Sequence, residues 1–309
     1  MRNMRDITGL RKALNDNSKR LGHYISRWAS AKRNFEENLS TNYQKFAERI
    51  RFNADGVLEK ANPSINRIRK MLIETKEDVE SFQKVIAELG YPPHLIMDIP
   101  TIRSIVKSYN AKELTIENID KFMCSYYDSE MISRIGLNWE HRDELQPRLS
   151  ILRNVIMAHN LGLYGVSVPA IISQFEGVLA DGFKIKGKAD GCIVNIMLEN
   201  LLNNNEGWRG KYDKSVLKYY NKNLLTGFEH GKKISSIISR NAILHGSDVN
   251  FDTEDISIRA ILLFDYISER IEDIDEQDII NADKEIKNYR KEKREKNRNR
   301  NQNRRKYKR

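Results

Sequence analysis

The segment best equipped for chemistry is Ser239-Arg240-Asn241-Ala242-Ile243-Leu244-His245-Gly246. An arginine is followed at once by a polar residue, and five positions on by a histidine. An imidazole can take the proton of a ribose 2′-hydroxyl and give one to a leaving 5′-oxygen. A guanidinium can hold the scissile phosphate and offset the charge that develops on it. With the 2′-hydroxyl as nucleophile, such a cleavage requires no metal. The spacing alone is not selective. A chain with 26 Arg and 6 His is expected to contain about 1.5 Arg-to-His pairs with four to six intervening residues by chance. Three occur here, Arg240 to His245, Arg153 to His159 and Arg134 to His141. In a regular helix, residues five apart diverge by about 140°, so Arg240 and His245 would splay. Asn241 and His245 would share a face with Ile234 and Ile238. A purely structural reading, a helix-end histidine just before Gly246, stands beside the catalytic one.

Other constellations are weaker. Glu176 falls mid-helix among apolar residues, where a carboxylate needs an Arg or His partner; together with His159 it is a secondary site candidate. Asp248-x-Asn250-x-Asp252 hints at a calcium loop, but Thr253 replaces the needed glycine and Arg259 stands where a bidentate glutamate belongs. Trp139-Glu140-His141 lacks a second ligand pair. There is no GxGxxG, no P-loop and no Ser/His/Asp nucleophile pattern. Cys124 and Cys192 form no CxxC and read as free thiols in a reducing compartment. No metal and no cofactor is expected.

The elements that must position these residues are helices. Gly (16) and Pro (6) are scarce among 309 residues, too few for the turns of many short strands. Trp28, Phe35, Leu39, Tyr43, Phe46 and Ile50 predict a helix over 24–52. Ile65, Ile68, Leu72, Val79, Phe82, Ile86 and Leu89 predict a second from Pro63 to Gly90, and the two read as an antiparallel hairpin. Short helices are expected over 94–140, with Trp139 anchoring their end. A helix follows from Glu144 to His159. The next is expected from Ser167, as N-cap with Pro169 in the first turn, to Gly182. Residues 182–191 read as a loop or small hairpin. Helices are expected over 192–202, 213–225 and 231–245, and a last one after the polar loop 247–252 to about Ile274, with Asp252, Glu254 and Asp255 on its first turn.

Charge is uneven. The net charge is +10, yet residues 284–309 carry +11 and residues 1–70 carry +9, leaving −10 for 71–283. The segment from Lys284 has almost no apolar residues and reads as a disordered basic tail. Its Arg298, Arg300, Arg304, Arg305 and Lys306 are candidate nucleic-acid contacts, through phosphate neutralisation and counterion release. The start has no apolar core of a signal peptide, and no run approaches the roughly 20 apolar residues that span a bilayer. A cytoplasmic protein without membrane contact is the expectation.

With these motifs in place, residues 140–275 resemble the HEPN superfamily of helical domains, which carry an Arg-x4–6-His motif. The phrase RNAILHG, followed by a polar loop and the apolar helix DISIRAILLFDYI, carries the resemblance. RLSILRNVIMAHNLGLYGVSVPAIISQFEG resembles the preceding helix pair, which makes Arg153 and His159 structural. The sequence as a whole reads as an all-α chain, with an N-terminal helical region (1–135), a helical domain (140–278) and the tail (284–309). The resemblance, which does not cover the tail, implies a HEPN-like bundle for the middle part. It implies metal-independent endoribonuclease activity, often in toxins and antiphage defence, with Arg240 and His245 catalytic and Asn241 positioning. It also implies a homodimer with a composite cleft, RNA as substrate, and a neutralising or sensing partner protein. Ser247 stands where some HEPN toxins have a tyrosine. The alternative is a non-catalytic RNA-binding or protein-interaction scaffold that uses its tail.

Overall fold

Apolar residues recurring every three or four positions, with few glycines between, dictate helices. A computed structural model describes residues 77–94, 97–203 and 207–306, and they are predominantly helical, with no strand among them. The chain divides at 72/73, and every described residue belongs to the second unit, Ile73–Arg309. The expected helix over 24–52, and the expected hairpin with it, lie outside the described residues. Of the hairpin's second helix, residues 77–88 (α1) are described. Phe82, Ile86 and Leu89 are buried there, the end of the expected stripe. The helix stops at Gly90, whose φ of 85° favours glycine.

Three capped helices follow: Ile99–Asn110 (α2), Ile116–Tyr126 (α3) and Ser129–Trp139 (α4). Asp98, Thr115 and Asp128 accept hydrogen bonds from the backbone N–H of Thr101, Asn118 and Met131, satisfying donors that each helix start leaves open. The helix expected from Glu144 begins as a 3-10 turn, Asp143–Arg148, because Pro147 removes a donor, and continues as α5, Leu149–Asn160.

The single helix expected from Ser167 to Gly182 is two: Tyr164–Ile172 (α6) and Phe175–Gly182 (α7). Ser167 is not an N-cap. It is buried inside α6 and donates to the Val155 carbonyl at 3.1 Å. The break falls at Ser173-Gln174, where the Ser173 hydroxyl bonds back to the Ala170 carbonyl at 2.7 Å and competes with the helical ladder. Residues 183–190 form an irregular loop before α8, Gly191–Leu202, which Asp190 caps. Helix α9 covers Gly207–Asn223.

The helix expected over 231–245 does not form. Only Arg240–Leu244 (α10) is helical, and residues 224–239 run irregularly. Gly231 takes φ 80°, the four residues after it include two lysines and a serine, and Ser239 caps the Ala242 N–H at 3.2 Å, which starts the helix late.

Helix α11, Glu254–Glu272, is buried continuously from Ser257 to Ser268 and contacts α3, α6, α7 and α8. A helix embedded on all sides must satisfy its polar groups internally. Asp265 accepts from His94 Nε2 at 2.9 Å and Trp139 Nε1 at 2.8 Å, and pairs with Arg142 at 3.1 Å. Burial pushes its carboxyl up, but the His94, Arg142 and Trp139 contacts outweigh that and hold it below the ordinary value. Arg259 lies 3.9 Å over the Tyr91 ring and donates to the Gly90 carbonyl at 2.9 Å. Arg270 and Tyr266 both donate to the buried Asp213.

A final helix, Glu276–Lys306 (α12), begins before the segment read as the basic tail and runs on into it. Ala282 and Ile286 are buried, Ile279 and Tyr289 partly so. Their 3-4-3 spacing is a helical stripe, diluted by charge, that packs along α8. Tyr289 donates to Asp190 at 2.9 Å, and Arg290 donates to the Lys186 and Lys188 carbonyls at 3.0 and 3.1 Å. Residues 294–299 are exposed. One core runs from Phe82 to Ile286.

Candidate functional site

Helix α10 is one and a half turns held between its neighbours. The Arg240 N–H donates to the Leu224 carbonyl at 3.3 Å, which ties its start to the end of α9. Ala242 and Ile243 are buried where α10 leans on α6, and Asn241 is left half-buried. This short amphipathic turn, not the longer helix expected, presents the motif.

Arg240 and Glu176 form an ion pair at 2.8 Å, with both side chains about one quarter exposed (21% and 25%). Glu176 stands on the first turn of α7, because the break at Ser173-Gln174 redirects the chain there. Beside it Phe175 packs edge-on against Tyr220 at 5.5 Å. Burial pushes the Tyr220 phenol well up, the Glu176 charge adds to this and Arg240 opposes it, so the three groups form one electrostatic cluster. Arg240 also donates to Asn241 Oδ1 at 3.2 Å. The Arg240 Nε and the Tyr220 hydroxyl are buried without a hydrogen-bond partner among the described residues. The guanidinium is therefore fixed in place by a carboxylate and an amide.

His245 caps the C-terminal end of α10 and is exposed, with Gly246 turning the chain away at φ 71°. Its ring stacks on Phe228, centroids 5.9 Å apart and planes at 25°. His230 meets the same phenyl ring edge-on, at 5.0 Å and 81°. The Ser247 hydroxyl hydrogen-bonds His230 Nδ1. Two of the chain's six histidines thus flank one phenyl ring. Spacing in the sequence does not single out Phe228 and His230, which the irregular stretch 224–239 folds back onto α10. Asn241 does not share a helical face with Ile234, since the helix does not reach that far.

His159 lies elsewhere. It is buried, with Nδ1 2.8 Å from the Ser257 hydroxyl, which donates to Ser167 at 3.1 Å, which donates to the Val155 carbonyl. A carbonyl can only accept, so the chain runs one way and His159 donates from Nδ1. Burial pushes its imidazole down to about 4. Arg153 pairs with Glu140 at the surface. Among the hydrogen bonds and ion pairs of the described residues, neither Arg153 nor His159 reaches α10: one pairs with Glu140, the other bonds Ser257.

Two of the calcium-like carboxylates serve the backbone: Asp248 accepts from the Asn250 N–H at 2.9 Å within its own turn, and Asp252 accepts from the distant Gly165 N–H. Among the described residues, no group of three His, Cys, Asp or Glu is placed to hold a metal ion, and no helix is long and apolar enough to cross a membrane. Arg298 is exposed on α12, and Arg300, Arg304, Arg305 and Lys306 lie on its last turns. No family model, no curated protein and no solved structure matches this chain.

Proposed function

We propose that the chain is a metal-independent endoribonuclease of the HEPN kind, acting in the cytoplasm as a toxin or antiphage-defence effector. The observation that carries the reading is α10 itself. Arg240 is fixed at its start by Glu176 and Asn241, and His245 is exposed at its end. In this reading the guanidinium stabilises the negative phosphate oxygens and the imidazole moves the proton. The 2′-oxygen attacks phosphorus, the bond to the 5′-oxygen breaks, and a 2′,3′-cyclic phosphate and a 5′-hydroxyl result.

Several exposed apolar side chains support a homodimer. Met157, Leu161, Leu163 and Val166 surround the α5–α6 turn, and Leu244 and Val249 lie near α10. A second copy covering them would close the cleft, since monomers seldom leave such patches bare. A neutralising or sensing protein partner belongs to the same proposal.

The test is direct. His245→Ala and Arg240→Ala each abolish RNA cleavage and any toxicity on expression, the fold is retained, and EDTA has no effect. Activity that survives His245→Ala, or that EDTA removes, overturns the reading. A second reading, a non-catalytic RNA-binding scaffold, draws on the same Arg240–Glu176 pair, which occupies part of the guanidinium. It predicts RNA binding without cleavage by the unaltered protein.

A further inference from the structure

We infer that His230 is the second acid/base group of this site and works with His245 within one chain; this rests on the ribonuclease reading. The observation is the arrangement around Phe228, where His245 stacks on the ring and His230 meets it edge-on, both histidines being exposed.

Transesterification at a ribose moves two protons, one off the 2′-hydroxyl and one onto the 5′-oxygen. A single imidazole must do both in turn, whereas two can act together, one as base and one as acid. The phenyl ring holds the two imidazoles by their faces and edges and leaves their nitrogens for a ligand. Ser247 bonds His230 Nδ1. That hydrogen bond fixes the ring's orientation and leaves Nε2 as the nitrogen that reaches substrate. Two ion pairs stand on this part of the chain, Glu229 with Lys232 at 2.6 Å and Arg240 with Glu176 at 2.8 Å.

Atoms and protons balance within the chain. One imidazole takes the 2′-hydroxyl proton as the 2′-oxygen bonds to phosphorus. The other, entering protonated, gives its proton to the 5′-oxygen as that bond breaks. The second imidazole then lies in the same chain, so a partner copy shapes the cleft without supplying it.

The experiment uses the full chain with one RNA oligomer in two forms, the natural one and one with sulfur replacing the 5′-oxygen at the mapped scissile bond. A thiolate leaves without a proton, so the acid becomes dispensable. On natural RNA, His245→Ala leaves no detectable cleavage and His230→Ala lowers kcat on the order of 100-fold or more, with melting temperatures unchanged. On the sulfur form, one of the two variants recovers to near the unaltered rate and the other does not. Ser247→Ala, which frees the His230 ring, gives a smaller loss on natural RNA that the sulfur form follows in the same sense as His230→Ala. The inference is overturned if His230→Ala cleaves natural RNA at full rate, or if neither variant is rescued by sulfur. An unaltered protein that leaves RNA intact overturns the ribonuclease reading, and this inference with it.

Discussion

Glu176 and Arg240 are each other's anchor, and each has a different consequence when removed. Glu176→Ala leaves a half-buried guanidinium short of its main acceptor, which costs about 1–3 kcal/mol in unfolding free energy and loosens the group proposed to meet phosphate. Cleavage should therefore fall in kcat more than it rises in KM, because the missing order is felt most in the transition state. Equal activity with lower stability would make Glu176 structural only. His159 gives a second residue-scale prediction, with a sign fixed by its surroundings. Burial pushes its imidazole down to about 4, below the ordinary value of about 6.5 in an unfolded chain. Between those values the unfolded chain binds the proton and the folded one does not. Its contribution is complete above about pH 6.5 and is lost as the pH falls toward 4, by about 3 kcal/mol in all. Urea unfolding of the chain and of His159→Gln across this window should show curves that converge toward acid. Parallel curves would mean that the buried imidazole does not carry the dependence.

At the scale of elements, α12 holds the body with its first half only. Deleting residues 284–309 removes Ile286, which is 1% exposed, along with Tyr289, Arg290 and Lys293 and their hydrogen bonds to the 186–190 loop. Stability should drop by at least about 2 kcal/mol from the buried isoleucine alone. Ending the chain after residue 293 keeps all of these interactions and should leave the melting temperature unchanged. If the longer deletion melts like the intact chain, α12 is not docked as described. The same helix shows what the sequence conceals. The apolar run of α11 is legible because Ile258, Ile261, Leu262 and Ile267 stand close together with Glu254 and Asp255 on the first turn. The stripe of α12 has one apolar residue per turn among Lys, Arg and Glu, so composition outweighs periodicity. The opposite holds over 231–245, where isoleucines at helical spacing suggest a helix that the Gly231 turn and the Ser239 cap cut down to five residues. The site is legible in part for the same reason. Arg240, Asn241 and His245 are local in sequence, and Glu176 stands out as a carboxylate needing a partner. That its partner is Arg240, far along the chain, and that Phe228 and His230 fold back onto His245, are products of tertiary packing that spacing does not encode.

At the scale of the whole molecule, charge is segregated, and this decides how RNA would approach. Residues 71–283 carry −10, so the body that holds α10 repels phosphates at long range. Residues 294–309 carry nine Lys or Arg and one Glu, and those from 294 to 299 are exposed. Attraction by such a segment is electrostatic and indifferent to base sequence, since backbone phosphates are its only strong targets. Removing 294–309 should therefore weaken RNA binding and flatten its salt dependence, by roughly 0.7 units in the slope of log K against log[salt] for each phosphate of a single strand that is no longer neutralised. Chemistry at α10 should persist at low salt, with KM raised and kcat similar, because the segment binds ground state and transition state alike. The measurement is a salt titration of RNA affinity for the intact chain and the chain ended at residue 293, side by side, with their steady-state kinetics. Identical slopes would mean that the basic end does not bind RNA, and an acidic protein partner would then be the ligand its charge selects.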